Sequence, residues 1–217
     1  MARFVLVPGG WHGGWAFDAV SHALSAEGHE VQALTLSGLG DEPAPGANLE
    51  SHIGEVIQAL RLRDAPAVLV GHSYGGMVIT GAADQAPSTV KAMVYVDAYV
   101  PEHGASLWSL TTPNYRERFI AGAAADGLAC TPASHMDRRC RPHPMATFLQ
   151  AISLSGNWKN IRHKAFVAAL GWEGSPFVEL YERLRLDAGW ATHGLGCAHD
   201  VPRLAPEALA GILLKYA

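Results

Sequence analysis

Four short stretches of this chain are apolar at every position: residues 4–7 (FVLV), 68–70 (VLV), 93–96 (MVYV) and 166–170 (FVAAL). A strand with one face in water alternates apolar and polar residues. An unbroken apolar run is buried on both faces, which is the signature of a parallel sheet covered on each side. Parallel strands need crossover helices, and the intervening sequence supplies them. Residues 15–26 carry helical spacing and end at Gly28. Ile53, Val56, Ile57 and Leu60 mark a helix with Asn48 as its N-cap. Residues 77–83 and 179–186 read as helices, and residues 206–216 as a final one with proline in its first turn. Two further strands are expected at 31–36 and 190–195, with a loop over 41–47. The predicted fold is therefore α/β, with about six strands and helices on both faces.

Right-handed crossovers place every strand-to-helix loop on one edge of such a sheet, the edge where ligands bind in open α/β folds. Residues 101–160 interrupt the alternation. They are rich in Pro, His, Arg and Ala and show no clear strand. We read them as a small cap insertion over that edge, within a single domain spanning residues 1–217.

Composition narrows the classes of function. Of the 217 residues, 49% are hydrophobic and 17% charged, enough for one sizeable core. A net charge of −4 without a basic stripe argues against a nucleic-acid partner. No apolar stretch approaches the roughly 18–20 residues that cross a bilayer, so no membrane role is expected. The apolar start, MARFVLVPGG, is too short for a signal-peptide core and reads as a first strand. The cysteines, Cys130, Cys140 and Cys197, are odd in number and form no C-x-x-C pair. Neither a disulfide framework nor a metal site is indicated, and a reduced, cytoplasmic compartment is the default.

The stretch VLVGHSYGGMVI, residues 68–79, places one hydroxyl in a hinge made largely of glycine. Gly71-His72-Ser73-Tyr74-Gly75 fits G-x-S-x-G, with a strand before it and a helix after it, as a nucleophile elbow requires. The glycines two before and two after the serine approach each other in so tight a turn. The serine is lifted above the sheet edge at a helix N-terminus, where developing negative charge is favoured. A phosphate loop is the rival reading, but neither G-x-x-x-x-G-K-[ST] nor G-x-G-x-x-G is present.

A serine nucleophile needs a base and an acid behind it. His199 follows the last strand in LGCAHDVP, on the edge that carries Ser73 and in the order serine, acid, histidine. His12, near the first strand, is the alternative. Two carboxylates compete for the third position. Asp97 terminates the apolar strand MVYVDAYVP, where burial without a partner is costly. Glu173 lies in the glycine-flanked loop AALGWEGSPF. Asp97 is favoured. The oxyanion donors are expected to be the backbone amides of Tyr74 and of Gly10, with Trp11 next, because PGGWHGGW lets the backbone approach a substrate. Trp11 and His12 are candidate substrate-binding walls. Trp108, Tyr115, Phe119, Phe148 and Trp158 offer an apolar lining from residues 101–160.

With FVLVPGGWHGGW, LVGHSYGGMV, MVYVDAYVPEHG and GCAHDVPRLAPEALAGILL in place, the chain resembles the α/β-hydrolase superfamily. It is most similar to the branch of plant methylesterases and hydroxynitrile lyases. The resemblance covers most of the chain outside residues 101–160 and implies a minimal α/β-hydrolase fold of about six parallel strands. Lyases of that branch carry threonine at the position of Gly9, lysine at that of Asp200 and often glutamate at that of His72. All three differ here, which disfavours lyase chemistry. Plant esterases of the branch take their acid after the strand at 166–170, whereas this chain offers Asp97 at the end of an earlier one. The implied activity is a serine esterase acting on a small to medium carboxylic ester, without metal or cofactor. Carbamates and lactones stay open as substrates. Lyase-like or cofactor-free chemistry on the same scaffold, or a low-turnover ligand receptor, are the alternatives.

Overall fold

A computed structural model describes residues 1–42, 44 and 46–217. The loop expected at 41–47 includes Pro43 and Pro45, which lie outside the described residues. In chain order the elements are β1 (Arg3–Val7), α1 (Asp18–Ala26), β2 (Glu30–Ala33), α2 (Leu49–Arg61), β3 (Ala67–His72), α3 (Gly75–Gln85) and β4 (Val90–Val96). Then come α4 (Leu107–Leu110), α5 (Pro113–Gly122), β5 (Ala129–Cys130), β6 (His143–Pro144) and α6 (Met145–Leu149). The chain returns through β7 (His163–Ala169), α7 (Val178–Leu184), β8 (Ala191–Leu195), α8 (Val201–Leu204) and α9 (Pro206–Leu213).

Six strands form one sheet in the order β2-β1-β3-β4-β7-β8, every adjacent pair parallel. Side chains alternate between its faces. Val5, Val7, Leu69, Met93, Tyr95 and Phe166 pack with α2 and α3 on one side. Phe4, Leu6, Val68, Val70, Val94 and Val167 pack with α1 and α9 on the other. This two-sided burial is the reason for the unbroken apolar runs. The order also makes β1 and β3 neighbours, so the loops after them rise side by side.

Element limits differ from the sequence reading in places with local causes. The second strand stops at Ala33, and the Thr35 hydroxyl instead accepts the Gly14 amide (2.9 Å). A 3-10 turn at Gly14–Phe17 precedes α1, and another at Leu214–Tyr216 closes the last helix. Asn48 caps α2 as expected: its side chain accepts from the Ser51 amide (3.0 Å) while Ser51 Oγ accepts from the Asn48 amide (3.0 Å). Such a box contributes about 1 kcal/mol.

Residues 101–160 form short helices and the two-stranded antiparallel pair β5–β6. Their apolar side chains, among them Leu107, Phe119, Phe148 and Trp158, join the core on the α2–α3 face. Asp84, in the last turn of α3, fastens their return. Its carboxylate accepts from the amides of Ser155, Gly156 and Trp158 and from the Ser155 hydroxyl.

Candidate active site

The turn between β3 and α3 is held from several sides. Ser73 adopts φ +52°, a left-handed angle that is strained for a residue with a Cβ. Its amide donates to the Val96 carbonyl (3.2 Å), and its own carbonyl accepts from Gly76 (3.0 Å) and Tyr99 (3.2 Å). The flanking glycines have steric causes. A Cβ on Gly71 would stand 2.7 Å from the Gly75 carbonyl oxygen, and one on Gly75 would stand 2.5 Å from that of Val7. Both obstacles are backbone, which does not yield.

His199, between β8 and α8, brings Nε2 to 3.0 Å from Ser73 Oγ. Its Nδ1 lies 2.7 Å from Asp97 Oδ2. A carboxylate accepts, so Nδ1 carries a proton, and in the neutral imidazole Nε2 is then the bare nitrogen that faces the serine. Asp97 follows β4 at φ +43° and is 1% exposed. Its second oxygen accepts the Ala169 amide (3.1 Å). Glu173, the rival carboxylate, is exposed and has no hydrogen bond to His199 among the described residues. The imidazole of His199 lies among rings: Trp172 at 4.5 Å between centroids, His72 at 4.8 Å and Phe177 at 5.8 Å. Buried His72 adds a hydrogen bond, its Nε2 lying 2.9 Å from the carbonyl oxygen of His199. That carbonyl accepts, so Nε2–H donates. Burial, with His199 and His12 nearby, lowers the pKa of His72 well below the ordinary histidine value.

Gly10 and Tyr74 border a cavity of about 80 Å³ beside Ser73 and His199. Its walls are mainly aromatic and include Trp11, Tyr99, Tyr115, Phe119, Phe148 and Trp172. Among the described residues, the amides of Gly10 and Tyr74 have no hydrogen-bond partner. The Trp11 amide is taken, donating to Nδ1 of His143 (3.1 Å). The Tyr74 side chain is buried, and Nδ1 of buried His52 accepts its hydroxyl (2.9 Å). His52 donates its other ring nitrogen to the Ser37 carbonyl (2.9 Å). Burial pushes the Tyr74 phenol far above its ordinary pKa.

His12 is not among the cavity's lining residues. Its Nδ1 turns back to the Gly10 carbonyl (2.7 Å) and its ring packs on Trp15. Trp108 and Trp158 also lie outside the lining, whereas Tyr115, Phe119 and Phe148 are in it. No motif marks Trp172 and Phe177, which share a loop with Glu173 and line the cavity, nor His52 and His143, isolated histidines whose partners lie far along the chain.

The model of the alpha/beta hydrolase family matches residues 4–212. The chain belongs to that family. Across 97% of its length, and 97% of the relative's, this alpha/beta hydrolase is 36% identical to a carbendazim hydrolyzing esterase from a Nocardioides strain. It is 34% identical to Methylesterase 2 of Arabidopsis thaliana over 46% of the chain and 40% of the relative. Among solved structures, an extracellular alpha/beta-hydrolase from a Paenibacillus species superposes with a TM-score of 0.86 at 20% identity, covering 100% of this chain and 99% of that one. That last likeness is one of fold.

Proposed function

We propose that this alpha/beta hydrolase is a serine esterase that cleaves small carboxylic esters through an acyl-enzyme. The observation that carries the reading is the line Ser73 Oγ, His199 and Asp97, at 3.0 and 2.7 Å, opening onto a cavity beside the Gly10 and Tyr74 amides, which have no hydrogen-bond partner among the described residues. His199 takes the Ser73 proton through Nε2 as Oγ attacks the ester carbonyl. Asp97 steadies the imidazolium that forms. The Gly10 and Tyr74 amides receive the oxyanion. His199 then protonates the leaving alcohol, and water repeats the sequence to free the acid. The relatives named as esterases support ester hydrolysis, and carbendazim belongs among the trial substrates.

Lyase chemistry is the weaker reading. A Cβ on Gly9 would stand 2.8 Å from Nδ1 of His72, so threonine does not fit there while His72 holds the His199 carbonyl. The lining bears on the substrate: walls that are mainly aromatic favour an apolar acyl or alkoxy group.

Release of p-nitrophenol from its acetate ester tests the reading. Ser73→Ala is expected to fall to the uncatalysed background. Asp97→Asn is expected to lose about 1000-fold or more in kcat, since the amide favours the wrong histidine tautomer. Glu173→Gln is expected to stay within about twofold of the native rate. Hydrolysis that survives Ser73→Ala, or a Glu173→Gln loss exceeding that of Asp97→Asn, would sink the assignment.

A further inference from the structure

The loop that carries Gly10 takes its shape from residues far along the chain. Trp11 stands at φ +66°, a left-handed angle that a bulky residue holds only when its surroundings dictate it. All three of its polar groups are engaged by the segment between β4 and β7. The amide donates to Nδ1 of His143 (3.1 Å), the carbonyl accepts from the Arg141 amide (3.0 Å), and the indole Nε1–H donates to the Cys130 carbonyl (2.8 Å). On the near side, His12 secures the two preceding carbonyls: its Nδ1 serves that of Gly10 (2.7 Å) and its amide that of Gly9 (3.3 Å). The Gly10 amide is the group this arrangement leaves to the cavity.

We propose that His143 is a positioning residue for the oxyanion site: its bare Nδ1 takes the Trp11 amide, fixes the left-handed turn and so leaves the Gly10 amide facing the ester. The proposal rests on the esterase reading and names a group that the reaction needs without contact to the substrate. Every proton along the chain has one allowed place. A backbone amide only donates, so Nδ1 of His143 is unprotonated. Nε2–H therefore donates to Thr147 Oγ1 (2.7 Å), and that hydroxyl donates to the Pro144 carbonyl (2.8 Å). The ring has no freedom to turn. It is fully buried, stacks on Phe148 at 4.3 Å and 7°, and meets Tyr74 edge-on at 4.8 Å. Burial, with His52 and His12 nearby, lowers its pKa well below the ordinary histidine value and so preserves the acceptor.

A filler role would be served by any side chain of that size, whereas positioning needs an acceptor where Nδ1 stands. His143→Asn offers Oδ1 near that point; His143→Leu fills the space without an acceptor. On p-nitrophenyl acetate, His143→Leu is expected to lower kcat by about 10- to 100-fold with KM within about twofold, a fraction of the 100- to 1000-fold that follows outright loss of a donor. Inactivation by a p-nitrophenyl phosphonate, which forms a tetrahedral adduct at Ser73, should slow by the same factor. His143→Asn should recover kcat to within about fivefold. Equal losses in the two variants, a change confined to KM, or an unaltered kcat in His143→Leu overturns the proposal. Should His143→Leu fail to fold, His143→Gln replaces it: its acceptor reaches the Nε2 position, so low activity beside an active His143→Asn supports the proposal and equal activity overturns it. Nitrogen-15 spectra of the native protein should show Nδ1 unprotonated; the opposite tautomer or an imidazolium overturns it without any variant. An active native enzyme with an unaffected His143→Leu removes this proposal alone. A native protein that neither hydrolyses the ester nor labels removes the esterase reading and this proposal together.

Discussion

The elbow is a local steric problem, and the glycines at 71 and 75 are its solution in the residues themselves. Which carboxylate meets His199 is a question of distance in space. The sequence narrowed it to Asp97 and Glu173; in the structure one lies 2.7 Å from the imidazole and the other is exposed. His12 was expected at the cavity wall because of its neighbours in the loop, but its ring bends back on the backbone of Gly10. Nothing around His143 advertised it. Its partner is 132 positions away, and a lone histidine in a Pro- and Arg-rich stretch carries no periodicity. His72 yields a test at this scale. His72→Phe keeps an aromatic ring and deletes one donor to the His199 carbonyl, which among the described residues then keeps the Val201 amide (2.8 Å). We expect kcat/KM to fall about tenfold, because small displacements of a base are expensive in rate. A phenylalanine variant with native kinetics would show that the Val201 contact suffices to place His199.

Secondary-structure elements were legible in proportion to their length and burial. The strands under both helical layers announced themselves, and so did α2, whose cap and apolar stripe agree. The segment between β4 and β7 did not: the ten-residue α5 buries Phe119 alone and so carries no apolar stripe, while α4 has four residues, α6 five, and β5 and β6 two each. Elements so short complete barely one period of any pattern; tertiary contacts shape them instead. One of those contacts is the end of α3. Burial alone would raise the pKa of Asp84, but hydrogen bonds from the Ser155 and Trp158 amides, the Ser155 hydroxyl and the Gly156 amide outweigh it and lower the value. A depressed folded pKa means that the ionised carboxylate contributes stability above the unfolded value of about 3.9, and that this is lost as pH falls through the folded value. Asp84→Asn is therefore expected to reduce stability by about 1–3 kcal/mol at pH 7, with the difference from the native protein narrowing below pH 4. Urea titrations at pH 7 and pH 3.5 provide the comparison; a gap that stays constant between them would rule out the ionised carboxylate as its source.

At the scale of the whole molecule, the parallel sheet followed from apolar patterning, since only burial on both faces tolerates it. Less visible was how many histidines the interior would hold in neutral form. Burial lowers the pKa of His52, His72 and His143. In the unfolded chain each takes up a proton near pH 6.5, while in the folded protein each resists it. Stability is thus fully present above about pH 6.5 and falls as acidification proceeds toward the lowered folded values, by up to about 1.4 kcal/mol per pH unit for each histidine. Denaturation midpoints measured from pH 7.5 to 5 should decline steeply, and less steeply in His52→Gln. A flat profile would mean that these rings gain protons in place. The separation of the site's parts along the chain has an outcome of its own. Ser73 and His199 stand 126 positions apart, and His199 arrives only after β8 has been laid down. On the esterase reading, a folding chain therefore holds the Ser73 hydroxyl without the imidazole that would activate it until β8 has joined the sheet.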